Sequence, residues 1–188
     1  MGLPEAVMTT DNGLDITSSN FSDVKEFHKK FELLWADQPR HLTYRKLRER
    51  LEFLFEEFSE FANGCGVILV AEKLGPLHHP DEAQRGQLKY VVMDEQDILE
   101  QADALVDLVY VAMGTAVMLG LPWEALWADV HAANMRKERG ISKRGHKIDV
   151  IKPSGWVGPK TDEILYDHGY DFKVDQEHHD DQQQANHL

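Results

Sequence analysis

Apolar residues recur three and four positions apart in four long stretches of the chain, a spacing that predicts amphipathic helices. The stretches cover residues 22–35, 43–63, 98–119 and 122–137, and Ser22 and Thr43 suit the N-caps of the first two. A short stretch over 160–167 is also helix-prone. The apolar side predicted for the first, second and fourth helices consists of Val24, Phe27, Phe31, Leu34, Leu47, Leu51, Leu54, Phe58, Phe61, Trp123, Leu126, Trp127, Val130 and Met135.

Two β-prone runs, residues 67–70 and 88–93, interrupt the helical pattern and flank a loop rich in glycine, proline and histidine. They predict a β-hairpin inserted over about 65–95, with a partly ordered insertion as the alternative. The fold class is therefore an all-α bundle of four main helices with a small hairpin insertion and an irregular C-terminal segment. Residues 1–21 are predicted to form a flexible arm, 22–170 the folded domain and 171–188 a disordered tail.

Composition narrows the classes of function. The formal charge of −13 argues against general nucleic-acid binding, which needs clustered lysine and arginine. The single cysteine, Cys65, excludes an intrachain disulfide framework and disfavours a structural zinc site. The N-terminus lacks a basic segment that leads into an apolar one, and the apolar stretch over 105–119 is shorter than the roughly 18–20 residues that span a bilayer. We expect a cytoplasmic protein without membrane contact.

Three carboxylates interrupt the third predicted helix, which is otherwise apolar on every side: Glu100, Asp103 and Asp107. A helix that is apolar all round is normally buried, and buried carboxylates are costly unless they are paired or bind a metal. At about 5 Å and an effective dielectric near 20, two carboxylates repel each other by roughly 3 kcal/mol. A cation is therefore expected beside this helix, and all-oxygen ligands favour Mg²⁺ or Mn²⁺.

A second acidic cluster, formed by Glu56, Glu57 and Glu60, lies on one face of the second helix. A solvated acidic face is the simpler interpretation of this cluster. Glu100 also has a second interpretation, because Asp97-x-x-Glu100 resembles a capping box in which Glu100 satisfies backbone donors at the helix start. Glu100 therefore remains either a metal ligand or a cap.

Basic residues cluster after the fourth helix, and they include Lys137, Lys147 and Lys152. Alone they are solvated charges or compensate a helix dipole; beside a metal site they favour phosphate binding, because lysine binds phosphate as a point charge. Trp156 is either a core plug or a packing lid. The Glu-x-x-His pairs of di-iron bundles, a Walker loop and a Rossmann fingerprint are all missing from the sequence.

The order of these elements resembles that of the MazG-like all-α nucleoside triphosphate pyrophosphohydrolases, a superfamily that also includes phosphoribosyl-ATP pyrophosphohydrolases and dimeric dUTPases. The resemblance covers roughly residues 23–167 and is closest to small MazG-like proteins of phages and bacteria. Its most specific motifs are Phe27-His28, Glu56-Glu57-x-x-Glu60, Asp103-x-x-x-Asp107-Leu-Val-Tyr110, Val130-x-x-x-Asn134-x-x-Lys137 and the segment from Lys147 to Trp156.

The superfamily signature, Glu-x-x-Glu followed by Glu-x-x-Asp, implies the metal ligands. Its first half maps onto Glu57 and Glu60. Its second half maps either onto Glu100 with Asp103 or, by the anchor Asp-Leu-Val-Tyr, onto Asp107 with Asp103, and we favour the latter pair because residues four apart share a helix face. The other roles that the resemblance implies are Glu56 as the catalytic residue and Asn134, Lys137, Lys147, Lys152 and His28 as substrate-binding residues.

The resemblance implies Mg²⁺-dependent hydrolysis of a nucleoside triphosphate to a monophosphate and pyrophosphate, with Mn²⁺ as a substitute metal. The first expected substrate is dGTP or GTP and the second is dUTP. It also implies a homodimer or homotetramer, in the host cytoplasm if the protein is phage-encoded. Two alternatives stay open: phosphoribosyl-ATP hydrolysis, and a non-catalytic acidic helical protein that binds a partner or a metal.

Overall fold

The computed structural model describes residues 19–73, 87–93, 95–140 and 149–172. These residues form five helices and two antiparallel strand pairs, so the helical prediction and the hairpin insertion are confirmed. The fifth helix is the short helix-prone stretch over 160–167. Most of the predicted arm and tail falls outside the described residues. The elements are α1 (Asn20–Lys30), α2 (Tyr44–Gly64), β1 (Val67–Lys73), β2 (Gln87–Val92), α3 (Ile98–Leu119), α4 (Trp123–Met135), β3 (Glu138–Gly140), β4 (Asp149–Ile151) and α5 (Thr161–Asp167).

Helix α1 is shorter than predicted and is shifted toward the N-terminus. Its cap is Ser19, whose Oγ accepts the backbone N–H of Ser22, so the assignment of Ser22 as the cap was wrong. At the other end, Glu32 adopts a left-handed conformation with φ of 55°, and the N–H of Leu33 donates to the carbonyl of His28. This is a Schellman termination without the usual glycine. The sequence therefore lacked the signal that ends the helix.

The chain divides into two compact units, one of residues 1–27 with 42–115 and one of residues 28–41 with 116–188. In the first unit α2 and α3 run antiparallel, because two anchors join their opposite ends. Arg50 donates to Thr115 Oγ1 at 3.0 Å and to the carbonyl of Val111 at 2.7 Å. At the far end, Gln101 Nε2 donates to the carbonyl of Gly64 at 2.9 Å.

Gly64 is needed where the end of α2 meets the start of α3. A Cβ there would lie 2.8 Å from the backbone nitrogen of Gln101, closer than a side chain tolerates. The same glycine carbonyl accepts the N–H of Asp97 at 2.8 Å, while the Asp97 carboxylate caps α3 by accepting from Leu99 N–H. Close approach of the two backbones at this point sets the register of the pair.

In the second unit the segment after α1 covers the C-terminal end of α3. The N–H of Ala36 donates to the carbonyl of Val117, and the N–H of Arg40 donates to that of Leu119. The Arg40 guanidinium reaches the carbonyl of Met118. The last carbonyls of α3, which have no partner within the helix, are satisfied in this way.

The predicted core side of α2 is only partly covered in the single chain. Leu51 is 65% exposed and Phe58 is 38% exposed, whereas the other three residues of that side are half-buried. Phe55, which lies outside the predicted side, is 61% exposed. On α4, Trp127 and Met135 are exposed, whereas Ala133 is buried. The amphipathic pattern was correct for helix formation, but it does not tell which element covers an apolar face.

Helix α3 has the predicted bounds, and by length and composition it is apolar enough to cross a membrane. Within the described residues it is the one helix that meets this test. Core helices of soluble bundles meet the same test. The run counted from the sequence was shorter than the 22-residue helix that forms.

We predict that Arg50→Met lowers the free energy of unfolding by about 2 kcal/mol, because hydrogen bonds from a charged donor to α3 are lost. Urea unfolding followed by circular dichroism measures this change. Arg48→Met is the control, since Arg48 is exposed and forms an ion pair of 3.5 Å with Glu52 of its own helix. Equal effects of the two substitutions would contradict the anchor role of Arg50.

Candidate active site

The pairing of α2 with α3 places the two acidic clusters on facing helices. Glu57 lies midway between the anchor residues Arg50 and Gly64, and Asp107 lies midway along the matching part of α3. Antiparallel helices with these ends joined therefore bring Glu57 and Asp107 to the same level. Glu57 is half-buried on the side of α2 that faces α3, whereas Glu60 and Glu56 are exposed at its edge.

The three carboxylates of α3 share one stripe beside its contact with α2. At 3.6 residues per turn, positions 100, 103 and 107 fall within about 60° of each other. Ala104, next to this stripe, is 3% exposed and marks the packed side of the helix. Glu100, Asp103 and Asp107 are exposed in the single chain, so the prediction that they are buried was wrong.

Electrostatic contact between the clusters appears in the pKa of Glu57. Partial burial raises this pKa above its ordinary value, and the charges of Glu60, Asp107, Glu56 and Asp103 raise it further. Each charged neighbour that shifts it is thus another carboxylate, so the cluster concentrates negative charge. The charges of Glu60, Asp103 and Asp107, which the sequence assigned to the metal, thus act on Glu57, whereas Glu100 is not among the residues that shift its pKa.

Glu100 is not held as a capping-box residue. A capping box would give the N–H of Asp97 to the Glu100 carboxylate, but this N–H donates to the carbonyl of Gly64. Asp97 alone caps the helix, by accepting from the N–H groups of Leu99 and Glu100. The Glu100 side chain is therefore available for another role on the same stripe as Asp103 and Asp107.

The donor set fits a hard divalent cation, because carboxylate oxygens are the ligands that Mg²⁺ and Mn²⁺ prefer. In the described part of the chain, no three or more His, Cys, Asp or Glu side chains are close enough together to hold a metal ion. The carboxylates thus influence one another electrostatically, but they do not form a complete metal-coordination site. A bound cation would have to draw them closer, and it would remove the repulsion that raises the pKa of Glu57.

A cleft of about 380 Å³ lies between α1 and α3 in the first unit. Tyr110, which is three residues after Asp107, lines it and packs edge-to-face on Phe27 with ring centroids 5.5 Å apart. Burial raises the pKa of Tyr110, and the charge of Asp23 raises it further. No pattern in the sequence predicts this cleft, although Tyr110 belongs to the motif around Asp107.

The predicted substrate-binding residues fall in the second unit. Lys137 and Lys152 both lie over the ring of Trp156, while Asn134 is exposed near the end of α4. Lys147 lies outside the described residues. His28 is 3% exposed, and its Nδ1 donates to the carbonyl of Leu34 at 2.8 Å. Because a carbonyl can only accept, the proton of a neutral His28 is on Nδ1.

A comparison with protein families places this geometry in context. The family model described as phosphoribosyl-ATP pyrophosphohydrolase matches residues 24–134, more than half of the chain. The matched region contains both acidic clusters and ends at Asn134, before Lys137 and Lys152. A search of curated proteins found no match.

We predict that Glu57→Gln raises the melting temperature of the metal-free protein by roughly 1–2 °C at neutral pH. Folding raises the pKa of Glu57 above 4.5, so its ionised form opposes folding, and stability falls as pH rises from there through the raised value. Glutamine carries no charge, so the substitution removes this destabilisation. If the cluster binds Mg²⁺, millimolar Mg²⁺ should raise the melting temperature of the unmodified protein, and the glutamine should reduce that gain. Differential scanning calorimetry with and without Mg²⁺ measures both effects.

Glu52→Gln is the matched control on the same helix, because Glu52 is exposed and pairs with Arg48 instead of the cluster. It should leave the metal-free melting temperature and the response to Mg²⁺ unchanged. A lower melting temperature for Glu57→Gln than for the unmodified protein, without metal, would mean that the cluster does not repel Glu57.

Proposed function

We propose a reaction for this chain on the premise that it belongs to the phosphoribosyl-ATP pyrophosphohydrolase family, within the MazG-like superfamily of all-α pyrophosphohydrolases. It is accordingly a hydrolase of the pyrophosphohydrolase class. The proposed reaction cleaves the α–β phosphoanhydride of a nucleoside triphosphate and yields a monophosphate and pyrophosphate. The observation that supports it most directly is the group of carboxylates around Glu57, which belong to two facing helices.

The carboxylates of Glu57, Glu60, Asp103 and Asp107, with Glu100 as a further candidate, would hold the cation. Bound Mg²⁺ or Mn²⁺ would supply charge neutralisation on the phosphates and a more acidic water. Glu56 is exposed at the edge of this cluster, where its carboxylate can take a proton from the attacking water. The water oxygen bonds to the α-phosphorus, the bond from that phosphorus to the bridging oxygen breaks, and pyrophosphate leaves.

The cleft beside Tyr110 is the proposed site for the base. Its volume lies within the range of small-molecule pockets, and its walls are mostly apolar with a few polar groups. Tyr110 lies less than one helical turn, about 4.5 Å along the axis, from Asp107. We also propose that Asn134, Lys137, Lys147 and Lys152 contact the phosphates or the sugar and that His28 contributes to substrate binding.

Two substrate classes compete. The resemblance to phage and bacterial MazG-like proteins favours dGTP or GTP first and dUTP second. The family match favours the other class, phosphoribosyl-ATP, and that substrate carries an additional phosphate on its second ribose. The base and this extra phosphate therefore distinguish the candidates. In every case the broken bond is the α–β anhydride.

The test is a panel of dGTP, GTP, dUTP, dATP and phosphoribosyl-ATP, each incubated with purified protein and Mg²⁺ and resolved by anion-exchange chromatography. We expect monophosphate and pyrophosphate from the preferred substrate. Asp107→Asn and Glu60→Gln should lower kcat by about 10²-fold or more, because each weakens the cation site. Glu52→Gln should remain active.

Release of inorganic phosphate and a diphosphate would contradict attack at the α-phosphorus. No turnover of any substrate, with Asp107→Asn indistinguishable from the unmodified protein, would favour the non-catalytic alternative. Preference for phosphoribosyl-ATP over all simple triphosphates would make phosphoribosyl-ATP, instead of dGTP or GTP, the proposed substrate.

We further propose that the chain forms a homodimer or homotetramer through the exposed apolar side of α2. Leu51, Phe55 and Phe58 recur at helical spacing and stay exposed in the single chain. Burying large apolar side chains contributes about 1.5–3 kcal/mol each, so such a stripe favours association with a second copy. A closed symmetric oligomer would cover the stripe on every copy.

Phe55→Lys is expected to shift the protein toward the monomer, because a charge would have to be buried in the interface. Light scattering coupled to size-exclusion chromatography measures the mass. Tyr44→Lys, a substitution of a residue that is 70% exposed at the start of α2, is the control and should leave the mass unchanged. An unmodified protein that is monomeric at micromolar concentration would refute the proposal.

A further inference from the structure

Two lysines meet at the point where a short strand pair begins. Lys137 precedes β3 and Lys152 follows β4, and the register pairs Glu138 with Ile151. One further step along an antiparallel ladder sets residue 137 opposite residue 152. The backbone therefore brings two positively charged side chains together, although 14 residues lie between them in the sequence.

A tight turn then places Trp156 beneath this pair. The N–H of Trp156 donates to the carbonyl of Pro153 at 3.1 Å, which closes a four-residue turn directly after Lys152. Gly155 occupies the third position of the turn with φ of 74°, a left-handed conformation that a type II turn requires there. A Cβ on Gly155 would meet no atom within 4 Å, so the backbone conformation alone makes glycine the suitable residue.

Helix α4 anchors the tryptophan from the other side. Trp156 Nε1–H donates to the carbonyl of Ala133 at 2.9 Å, in the last turn of the helix. The Arg136 guanidinium donates to the carbonyl of Val157, and the N–H of Lys160 donates to Asp129 Oδ2. The segment that carries the ring is thus tied to α4 at three points along its length.

The ammonium groups of both lysines lie over the indole of Trp156. Lys152 Nζ is 4.4 Å and Lys137 Nζ is 5.8 Å from the ring centroid, within the range of cation–π attraction. Neither lysine forms a salt bridge within the described part of the chain. An aromatic face therefore keeps two like charges near each other.

We infer that Trp156 is a positioning residue that holds Lys137 and Lys152 together as a preformed pair for the phosphate chain of the substrate. The inference rests on the proposed function for the identity of the ligand and goes beyond it by giving Trp156 a role. Two ammonium groups offer six N–H donors, which match the oxygens of a polyphosphate. Holding both side chains in place before binding reduces the entropy lost when phosphate arrives.

Inorganic tripolyphosphate is the probe, titrated calorimetrically into the full-length protein in the presence of EDTA, so that the carboxylate cluster holds no cation. Trp156→Leu removes the aromatic face and should weaken binding roughly five- to thirtyfold, as expected for the loss of two cation–π contacts. Trp156→Phe keeps an aromatic face, although a smaller one without the Nε1–H, and it should stay within about threefold of the unmodified protein. Trp127→Leu, on the exposed side of α4, is the control and should bind normally.

A double-mutant cycle separates positioning from general packing. In a Lys137→Met/Lys152→Met background, Trp156→Leu should have little additional effect, because the charges that it positions are gone. In turnover assays, Trp156→Leu should raise KM more than it lowers kcat, since the ring contacts no reacting atom. Tripolyphosphate binding by Trp156→Leu equal to that of the unmodified protein would overturn the inference. Equal losses in the leucine and phenylalanine variants would also overturn it.

If Trp156→Leu does not fold, the indole N–H resonance of Trp156 in the unmodified protein gives the answer. Tripolyphosphate should shift this resonance, and the shift should vanish in Lys137→Met/Lys152→Met, whose substitutions leave the Ala133 anchor in place. A shift that persists in that variant would refute the inference. The two outcomes can be told apart. If tripolyphosphate binding follows this pattern but no triphosphate is hydrolysed, the role of Trp156 in holding Lys137 and Lys152 stands and the proposed function fails.

Discussion

The repulsion among carboxylates on two paired helices is the constraint on which the rest of the structure depends. Helices α2 and α3 are joined at one end by Arg50 and at the other by the close approach of Gly64 to Gln101. These anchors force Glu57 to the level of Asp107, where its pKa is raised by burial and by other negative charges. The pairing of the helices therefore concentrates negative charge around Glu57 and loses stability in doing so.

The anchors that join the two helices are polar, and their hydrogen bonds are directional. An apolar contact could pack α2 on α3 in several registers, whereas Arg50 donates to two specific atoms of α3 and Gln101 to one specific carbonyl of α2. Directional bonds set a register that repulsion would otherwise disturb. Much of the remaining apolar surface of α2 faces outward in the single chain, which is the physical basis for the proposed oligomer.

The second unit is held together more by hydrogen bonds to the backbone carbonyls at helix ends than by a large core. The segment after α1 supplies donors to the last carbonyls of α3, and Trp156 does the same for α4. These contacts place aromatic and basic residues at helix ends, where unpaired carbonyls attract donors and positive charge. The contact that anchors Trp156 to α4 thus also places its ring beneath Lys137 and Lys152.

The sequence by itself determined the helical class, the bounds of α3, the Thr43 cap of α2 and the hairpin after α2, because periodicity and capping are local properties. Only the tertiary structure decided that α1 ends early at Glu32, that Glu100 is not a cap and that Lys137 faces Lys152. Each of these depends on a partner distant in the sequence or on a backbone conformation that the residue type disfavours. Exposure of the apolar and acidic sides of α2 and α3 was likewise undetermined, because a local pattern shows that a face is apolar without identifying what covers it.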